Sequence, residues 1–375
     1  MSIKIQTGFD GSCPHSGKGV KREKKTRFIV YPSYRPRKRG LSEESLDPCG
    51  SRFWTKVENT GARPSKMVVK ADWQNDKRIR GHDIGYLRHE TEDEWRMIPA
   101  VIDGAVGAYT FEARPGVTDL ALFPEYSYGD VKAFVGRMRG RGVEIETIGK
   151  SREKRTMWML SLPSRNKKAK KFFLQVRDHP YETAGSYCLE GIMELLISDD
   201  EVAAYLRSKY HFFIVPVTNP DGVHNGMGRL TWERGADMNR IHTRKDAAHA
   251  TLKKTINRVA PDVHMNIHNW TNKFVDGLLS NEKNIAKLIE KHMPEDTEHF
   301  KRWMVQTTLD FLAAKNVTAC PKWDKSWKDY CWENWNAAGV NFEFPWFSLN
   351  TADMRAKGKR ALTALALAAI EDRRW

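Results

Sequence analysis

His179 and Glu182 stand three residues apart in His179-Pro180-Tyr181-Glu182, and His268 follows far downstream at the end of the apolar run Val263 to Ile267. Two histidines and a carboxylate in that order can ligate zinc, and three protein ligands leave open the fourth position that a catalytic zinc needs. Zinc held this way lowers the pKa of its bound water to about 7 and so creates a nucleophile for hydrolysis. A second histidine, His264, lies in the same run, and period-two alternation puts it on the same side of a strand as His268. Farther on, Glu343 is a carboxylate within the apolar segment Val340-Asn341-Phe342-Glu343-Phe344, where an acid needs a reason to be present.

The elements that must position these residues read as alternating strands and helices. Phe172 to Val176 is a short buried strand and Thr183 to Ser198 has helical spacing of apolar residues, so His179 and Glu182 fall at a strand-to-helix turn. Phe212 to Val217 is a second strand, and the turn chemistry of Asn219-Pro220-Asp221-Gly222 ends it and opens a long loop. That loop carries Arg229 and then Asp237-Met238-Asn239-Arg240. Pro261-Asp262 opens the third strand, which delivers His268 at its carboxyl end. Upstream, a helix over 129–139 and strands over 143–148 and 156–162 lead into the same unit. The pattern predicts an α/β domain with a mixed, mostly parallel central sheet and helices on both faces. Ligands at the carboxyl ends of such strands are where these sheets bind substrate.

Taken in order, HPYE, NPDG (Asn219 to Gly222), GADMNR (Gly235 to Arg240), PDVHMNIH (Pro261 to His268) and NFEF (Asn341 to Phe344) resemble the zinc metallocarboxypeptidases. The likeness is greatest to the cytosolic branch, which includes peptidyl-glutamate-removing enzymes, and runs through residues 125 to 375. It implies one zinc per chain on His179, Glu182 and His268, the last preferred to His264 because its interval from Pro261-Asp262 matches the family. It implies that Arg229 polarises the scissile carbonyl, Asp237 supports His179, Asn239 and Arg240 grip the terminal carboxylate of the substrate, and Glu343 is the general base. The chemistry asks for the same set: a carboxylate to move the proton, a cation aimed at the oxyanion and a planar guanidinium to read a carboxylate. The family's substrate-closing tyrosine has Tyr330 as its nearest counterpart. Counting back from Glu343 puts Lys328 near the family's specificity position, with Lys322 and Lys325 also available, and a lysine there favours an acidic side chain.

A chain of 375 residues exceeds one average domain. Residues 1–122 contain short strand-like runs, among them Ile3 to Ile5, Arg27 to Tyr31, Phe53 to Val57, Lys66 to Lys70 and Ala108 to Glu112, which predict an antiparallel β-sandwich. Residues 123–375 form the catalytic domain, closed by a helix over Ala361 to Ile370 packed on the sheet. The net charge is +15, and residues 1–40 hold eleven Lys or Arg against Asp10 and Glu23. The clusters Lys21 to Arg27 and Arg35 to Arg39 within 18–39 could attract nucleic acid, an anionic membrane surface or an acidic protein tail, or simply keep an edge strand from aggregating. Lys167, Lys168, Lys170 and Lys171 are expected at a β-hairpin tip.

Cys13, Cys49, Cys188, Cys320 and Cys331 lack pairing spacing, which fits reduced thiols in a cytoplasm. The start lacks an apolar signal core, no propeptide is evident and no apolar run reaches the length of a membrane span. The resulting expectation is a cytoplasmic zinc carboxypeptidase acting on peptides or protein tails, with a preference for acidic C-terminal residues. Two alternatives stand beside it: a zinc-dependent N-acyl amino acid deacylase, and a basic nucleic-acid-binding protein with a vestigial carboxypeptidase fold.

Overall fold

Two β-sheets follow one another along the chain. The structure, a computed structural model, describes residues 3–32, 52–73, 83–241, 246–270, 276–281, 283–293, 304–307 and 325–372. The cluster Arg35 to Arg39, Cys49, Cys320 and Lys322 lie outside these residues.

The first sheet comprises β1 (Ile3–Gln6), β2 (Val20–Lys24), β3 (Arg27–Val30), β4 (Trp54–Asn59), β5 (Ser65–Asp72), β6 (Ile84–His89), β7 (Arg96–Asp103), β8 (Val106–Ala113) and β9 (Gly116–Ala121). Their order is β1-β4-β9-β6-β7-β8-β5-β3-β2, antiparallel except at β3–β5. One half of β7 pairs with β6 and the other with β8, so the sheet has two halves, and their apolar residues share one cluster. Phe53, beside β4, stacks on Tyr109 of β8 with ring centroids 5.5 Å apart. Alternate residues of β5 (Met67, Val69, Ala71) enter this core, as a half-buried strand requires. At the edge, Lys21, Arg22, Glu23 and Lys24 of β2 are exposed, a charged rim that resists strand addition.

The second sheet comprises β10 (Glu144–Lys150), β11 (Thr156–Leu162), β12 (Lys170–Val176), β13 (Tyr210–Val215), β14 (Val263–His268), β15 (Gly277–Ser280), β16 (Met304–Thr307) and β17 (Ala338–Glu343), in the order β10-β11-β13-β12-β14-β17-β15-β16. The run β13-β12-β14-β17 and the pair β15–β16 are parallel, whereas β10–β11, β11–β13 and β15–β17 are antiparallel. The sheet is therefore mixed, with its main parallel block at the centre. Because β13 lies between β11 and β12, the lysines at 167–171 do not cap a hairpin, and Lys170 and Lys171 open β12.

The helices are α1 (Tyr128–Arg137), α2 (Ala184–Leu196), α3 (Glu201–Lys209), α4 (Pro220–His224), α5 (Ala247–Val259), α6 (Lys283–His292), α7 (Trp327–Trp335) and α8 (Thr351–Glu371). The NPDG segment is thus the start of a short helix rather than the beginning of a loop. Asn219 caps it by accepting from the Gly222 N–H, and Pro220 occupies the first helical position, where its missing N–H costs nothing. Val263, Met265 and Ile267 of β14 join the core shared with α2 and α8. On the opposite face Phe173 packs with Leu252 and Ile256 of α5 and Trp327 of α7.

Period-two alternation sorts the two faces chemically. The α5–α7 face presents Gln175, Asn266 and Asn341 at one level of β12, β14 and β17, and His268 with Glu343 one step higher. One step below lie His264 and Gly339. A Cβ on Gly339 would lie 2.7 Å from the Lys328 carbonyl oxygen, so this glycine lets α7 close on the sheet.

Candidate metal centre and active site

His179 and Glu182 are carried by the turn between β12 and α2, and His268 ends the neighbouring parallel strand. One ligand atom from each falls within 4.8 Å of the others, and all three residues are buried. The Nδ1 of His179 lies 2.8 Å from Glu182 Oε1, and the Nδ1 of His268 lies 2.7 Å from Glu182 Oε2. His264 is four residues farther down β14, with its Nε2 3.3 Å from Gln175 Oε1. The structure thus gathers His268, not His264, into the cluster.

Each ligand imidazole has its second nitrogen held. His179 Nε2 is 3.1 Å from Asp237 Oδ1, the arrangement by which a carboxylate fixes the tautomer and orientation of a metal-binding histidine. The other oxygen of Asp237 accepts from Arg229 Nε at 3.0 Å and Nη2 at 2.8 Å, so one carboxylate orients both a ligand and the arginine. His268 Nε2 is 3.1 Å from Asn239 Nδ2. Asn239 Oδ1 is buried and without a partner among the described residues. Once His268 Nδ1 serves a metal, its Nε2 carries the ring hydrogen, and a half-turn of the Asn239 amide presents that oxygen to it. The donor set and its supports therefore fit a divalent ion.

The electrostatics agree. Burial alone would raise Glu182, yet His179 and His268 hold it down to about 2. Burial opposes charge on His179, but Glu182 and Asp237 outweigh it and lift its pKa to about 10. A buried cluster that retains protons so firmly is one in which a cation can replace them. Glu343 pairs in register with His268, and burial, reinforced by Glu182, raises its carboxyl to about 7. It stands beside the ligand set as a carboxylate poised to exchange a proton near neutrality.

The remaining expected residues divide. Arg240 Nη1 donates to the Asn239 carbonyl at 3.1 Å, which places it next to Asn239 at the same loop. Lys328 is a buried residue of α7, and its Nζ donates to Asp329 Oδ1 at 2.6 Å. Tyr330 is not brought to the cluster: its hydroxyl donates to Asn257 of α5 at 2.8 Å and its ring meets Trp327 and Trp335 edge-on. Helical geometry turns Tyr330 toward α5, which spacing along the chain could not convey.

The tyrosine at the cluster is Tyr181, inside the HPYE segment itself. Its ring stacks on His179 at 6.4 Å and its hydroxyl donates to the Asn269 carbonyl at 3.1 Å. Asp178 is a second residue missed. This fully buried carboxylate accepts from Gln175 at 2.8 and 3.0 Å, Asn266 at 2.8 Å and Thr218 at 2.7 Å, tying the polar level of the sheet to the residue before His179. A charged residue next to a ligand was its only signal.

Comparison with known proteins adds an independent line. A zinc carboxypeptidase family model matches residues 135–318, a span that contains His179, Glu182, Arg229, Asp237, Asn239, Arg240 and His268 and stops before Glu343. Cytosolic carboxypeptidase 6 of Caenorhabditis elegans is 32% identical over 195 residues, which cover 49% of this chain and 40% of that protein. An uncharacterised protein of Zymomonas mobilis is 27% identical over 276 residues, covering 72% of this chain and 68% of that one. The chain thus spans about two fifths of the C. elegans relative. Among solved structures, a metallocarboxypeptidase from Burkholderia cenocepacia superposes with a TM-score of 0.79 at 18% identity, covering 98% of each chain, which establishes a shared fold through both sheets.

Proposed function

The chain belongs to the zinc carboxypeptidase family, and from that premise we propose that it removes the C-terminal residue of peptides or protein tails by zinc-dependent hydrolysis. The observation that carries this reading is the convergence of His179, Glu182 and His268 with Glu343 in register beside them. When bound by these three residues, zinc would polarise the scissile carbonyl and activate a water.

The chain's own residues do the rest. Glu343 takes the proton from the attacking water and passes it to the leaving amine. Arg229, held by Asp237, faces the developing oxyanion, where a fixed cation acts without reorganising. Arg240 and Asn239 receive the terminal carboxylate. Asn239 serves two ends, since its amide also reaches His268. Tyr181 walls the cluster and keeps the His179 ring in place.

Below His268 and Glu343 the floor of the site is polar. Asn266 Oδ1, Asn341 Oδ1 and His264 Nδ1 are buried and lack partners among the described residues. Buried polar atoms of this kind call for water or a polar ligand, which supports a hydrogen-bonding C-terminal side chain over an aliphatic one. Lys328, at the deepest level, favours an acidic residue. Basic residues of β2 and its flanks, from Lys18 to Arg27, would draw acidic tails toward the protein. Burial of the free Cys188 and Cys331 is compatible with the cytoplasm, and no helix among the described residues is long and apolar enough to cross a membrane. We retain the division into residues 1–122 and 123–375 as part of the same reading. No feature of the site favours the deacylase or nucleic-acid alternatives.

The test is metal content of the purified protein together with amino-acid release from blocked dipeptides ending in Glu, Asp, Leu or Lys, before and after chelation. One zinc per chain, with release that stops on chelation and returns with zinc, is the expected result. Zinc without release from any of the four would overturn it.

A further inference from the structure

Two arginines meet one carboxylate where the two sheets join. Arg52, just before β4, is buried and binds Glu125 through Nε at 3.3 Å and Nη2 at 2.9 Å. Its remaining nitrogen, Nη1, donates to the Met227 carbonyl at 3.0 Å. Arg177, equally buried, donates through Nε to the Pro180 carbonyl at 3.1 Å and through Nη1 to the Tyr126 carbonyl at 3.0 Å. Burial, then the charge of Arg52, brings the Arg177 pKa down to about 10, and Glu125 is the anion that offsets both cations.

The Pro180 and Met227 carbonyls belong to the two loops of the proposed active site. Pro180 lies between the ligands His179 and Glu182. Met227 lies two residues before Arg229, and the next carbonyl, Gly228 O, accepts from the Tyr181 N–H at 3.0 Å. The first sheet's own chain presses on the same loop. Gly11 N–H donates to the His224 carbonyl at 2.7 Å, and Asp10 Oδ1 lies 2.9 Å from His224 Nδ1. Gly226 has φ +65°, and a Cβ there would lie 1.9 Å from the Ser12 carbonyl oxygen. Met227 and Cys13 pack together beside Trp232. The loop bearing Arg229 is therefore lodged between the metal-ligand turn and the N-terminal segment.

We propose that Arg52 is a positioning residue for the reaction: the N-terminal sheet, through the Arg52–Met227 bond and the Gly226–Ser12 contact, sets where Arg229 stands relative to the metal. The inference rests on the oxyanion role given to Arg229 above. Glu125 takes only part of the donor capacity of this buried guanidinium, and a further donor goes to a backbone carbonyl of the loop that bears Arg229. Fixing that carbonyl restricts the loop on which the guanidinium of Arg229 is hung, and Asp237 relays the same constraint to His179. Small displacements of such groups are enough to lower turnover.

The experiment uses the full chain and the blocked dipeptide it hydrolyses fastest. Arg52→Met removes the bond and leaves Glu125 as the counter-charge of Arg177, so no buried charge loses its partner. Arg52→Lys keeps the charge beside Glu125 but not the forked donor, and serves if Arg52→Met does not fold. The expected result is a kcat at least tenfold lower, with KM within about twofold of the starting protein and zinc content unchanged. Amide exchange over 224–232 is expected to speed up in the metal-free protein, a change independent of turnover. In an Arg229→Met background the Arg52 change is expected to cost less than about twofold more, because the two act in series. A folded, zinc-loaded Arg52 variant with unchanged kcat would overturn the inference, as would a full additional loss in the Arg229→Met background or unchanged exchange over 224–232. An unchanged kcat for Arg229→Met alone would instead remove the oxyanion role of Arg229, and the inference with it.

Discussion

His268 and Glu343 occupy one register position at the carboxyl ends of adjacent parallel strands, so the proposed metal ligand and the proposed general base are spaced by the sheet itself. Backbone pairing sets their separation, and the Phe344 N–H donates to the His268 carbonyl at 3.1 Å to continue it. Catalytic groups placed by strands are held more precisely than groups placed by loops.

Glu343→Gln keeps the shape and removes the proposed base. Because Glu343 lies outside the ligand set, zinc content is expected to be unchanged while kcat falls roughly a hundred- to ten-thousandfold. Steady-state kinetics beside metal analysis checks both. With the carboxyl raised to about 7 by burial and Glu182, and ionisation required for function, kcat/KM is expected to rise with pH through the acid limb. A divalent ion on the neighbouring ligands favours the carboxylate and moves that limb below 7.

Asp237→Asn separates the two tasks of one carboxylate. It leaves an amide that can accept from His179 or from Arg229 but not hold both as an anion. Loss of such a support typically costs about 10- to 100-fold in metal affinity or activity. Competition with a chelator is expected to show weaker zinc binding, and kcat measured at saturating zinc is expected to fall as well. Unchanged affinity would mean that Asp237 does not orient His179.

How far these contacts were legible depended on their range along the chain. His179, Glu182 and His268 could be read because turn and strand-end positions are local properties of the sequence. So could the loop carrying Arg229 and Asp237. That Tyr330 turns to Asn257 could not be read, because the direction of a side chain on α7 depends on how that helix lies against α5. The hairpin expected at 167–171 failed for a related reason, since only long-range pairing inserts β13 between β11 and β12. Nothing local announced that Arg52 meets Met227, residues 175 positions apart. Asp178 was overlooked because its partners Gln175, Asn266 and Thr218 come together only when three strands align.

His264 gives the folded protein a measurable acid sensitivity. Burial, and then the charge of Lys328, lowers its pKa from 6.5 to about 3. The unfolded chain therefore binds a proton below pH 6.5 that the folded chain refuses until about pH 3. Stability contributed by keeping this ring neutral is complete above pH 6.5 and is lost as pH falls through that window, by up to about 1.4 kcal/mol per unit. Denaturant unfolding of the wild type and of His264→Gln at pH 7.5 and 5 is expected to show a shallower decline in the variant. Parallel declines would mean that His264 is not a buried neutral ring.

In the proposed reading Lys328 biases what the polar floor prefers, and its pairing sets how strongly. The ammonium already donates to Asp329 Oδ1, and Asp329 also accepts from Asn281 Nδ2 at 2.9 Å, so part of its charge is spent within the protein. An incoming carboxylate would share that cation with Asp329, which limits the preference it can confer. The neutral atoms above it, on Asn266 and Asn341, contribute hydrogen bonding that does not depend on charge. Lys328→Met is therefore expected to reduce the ratio of kcat/KM for Glu-ended over Leu-ended dipeptides about tenfold, a single charge-assisted hydrogen bond. Gln-ended peptides are expected to be nearly unaffected. Asp329→Asn in the wild type should act oppositely, because it releases the ammonium toward substrate and raises the Glu-over-Gln ratio. If Lys328→Met left the Glu-over-Leu ratio where it was, the lysine would be a structural partner of Asp329 and the side-chain preference would have to be set by the asparagines.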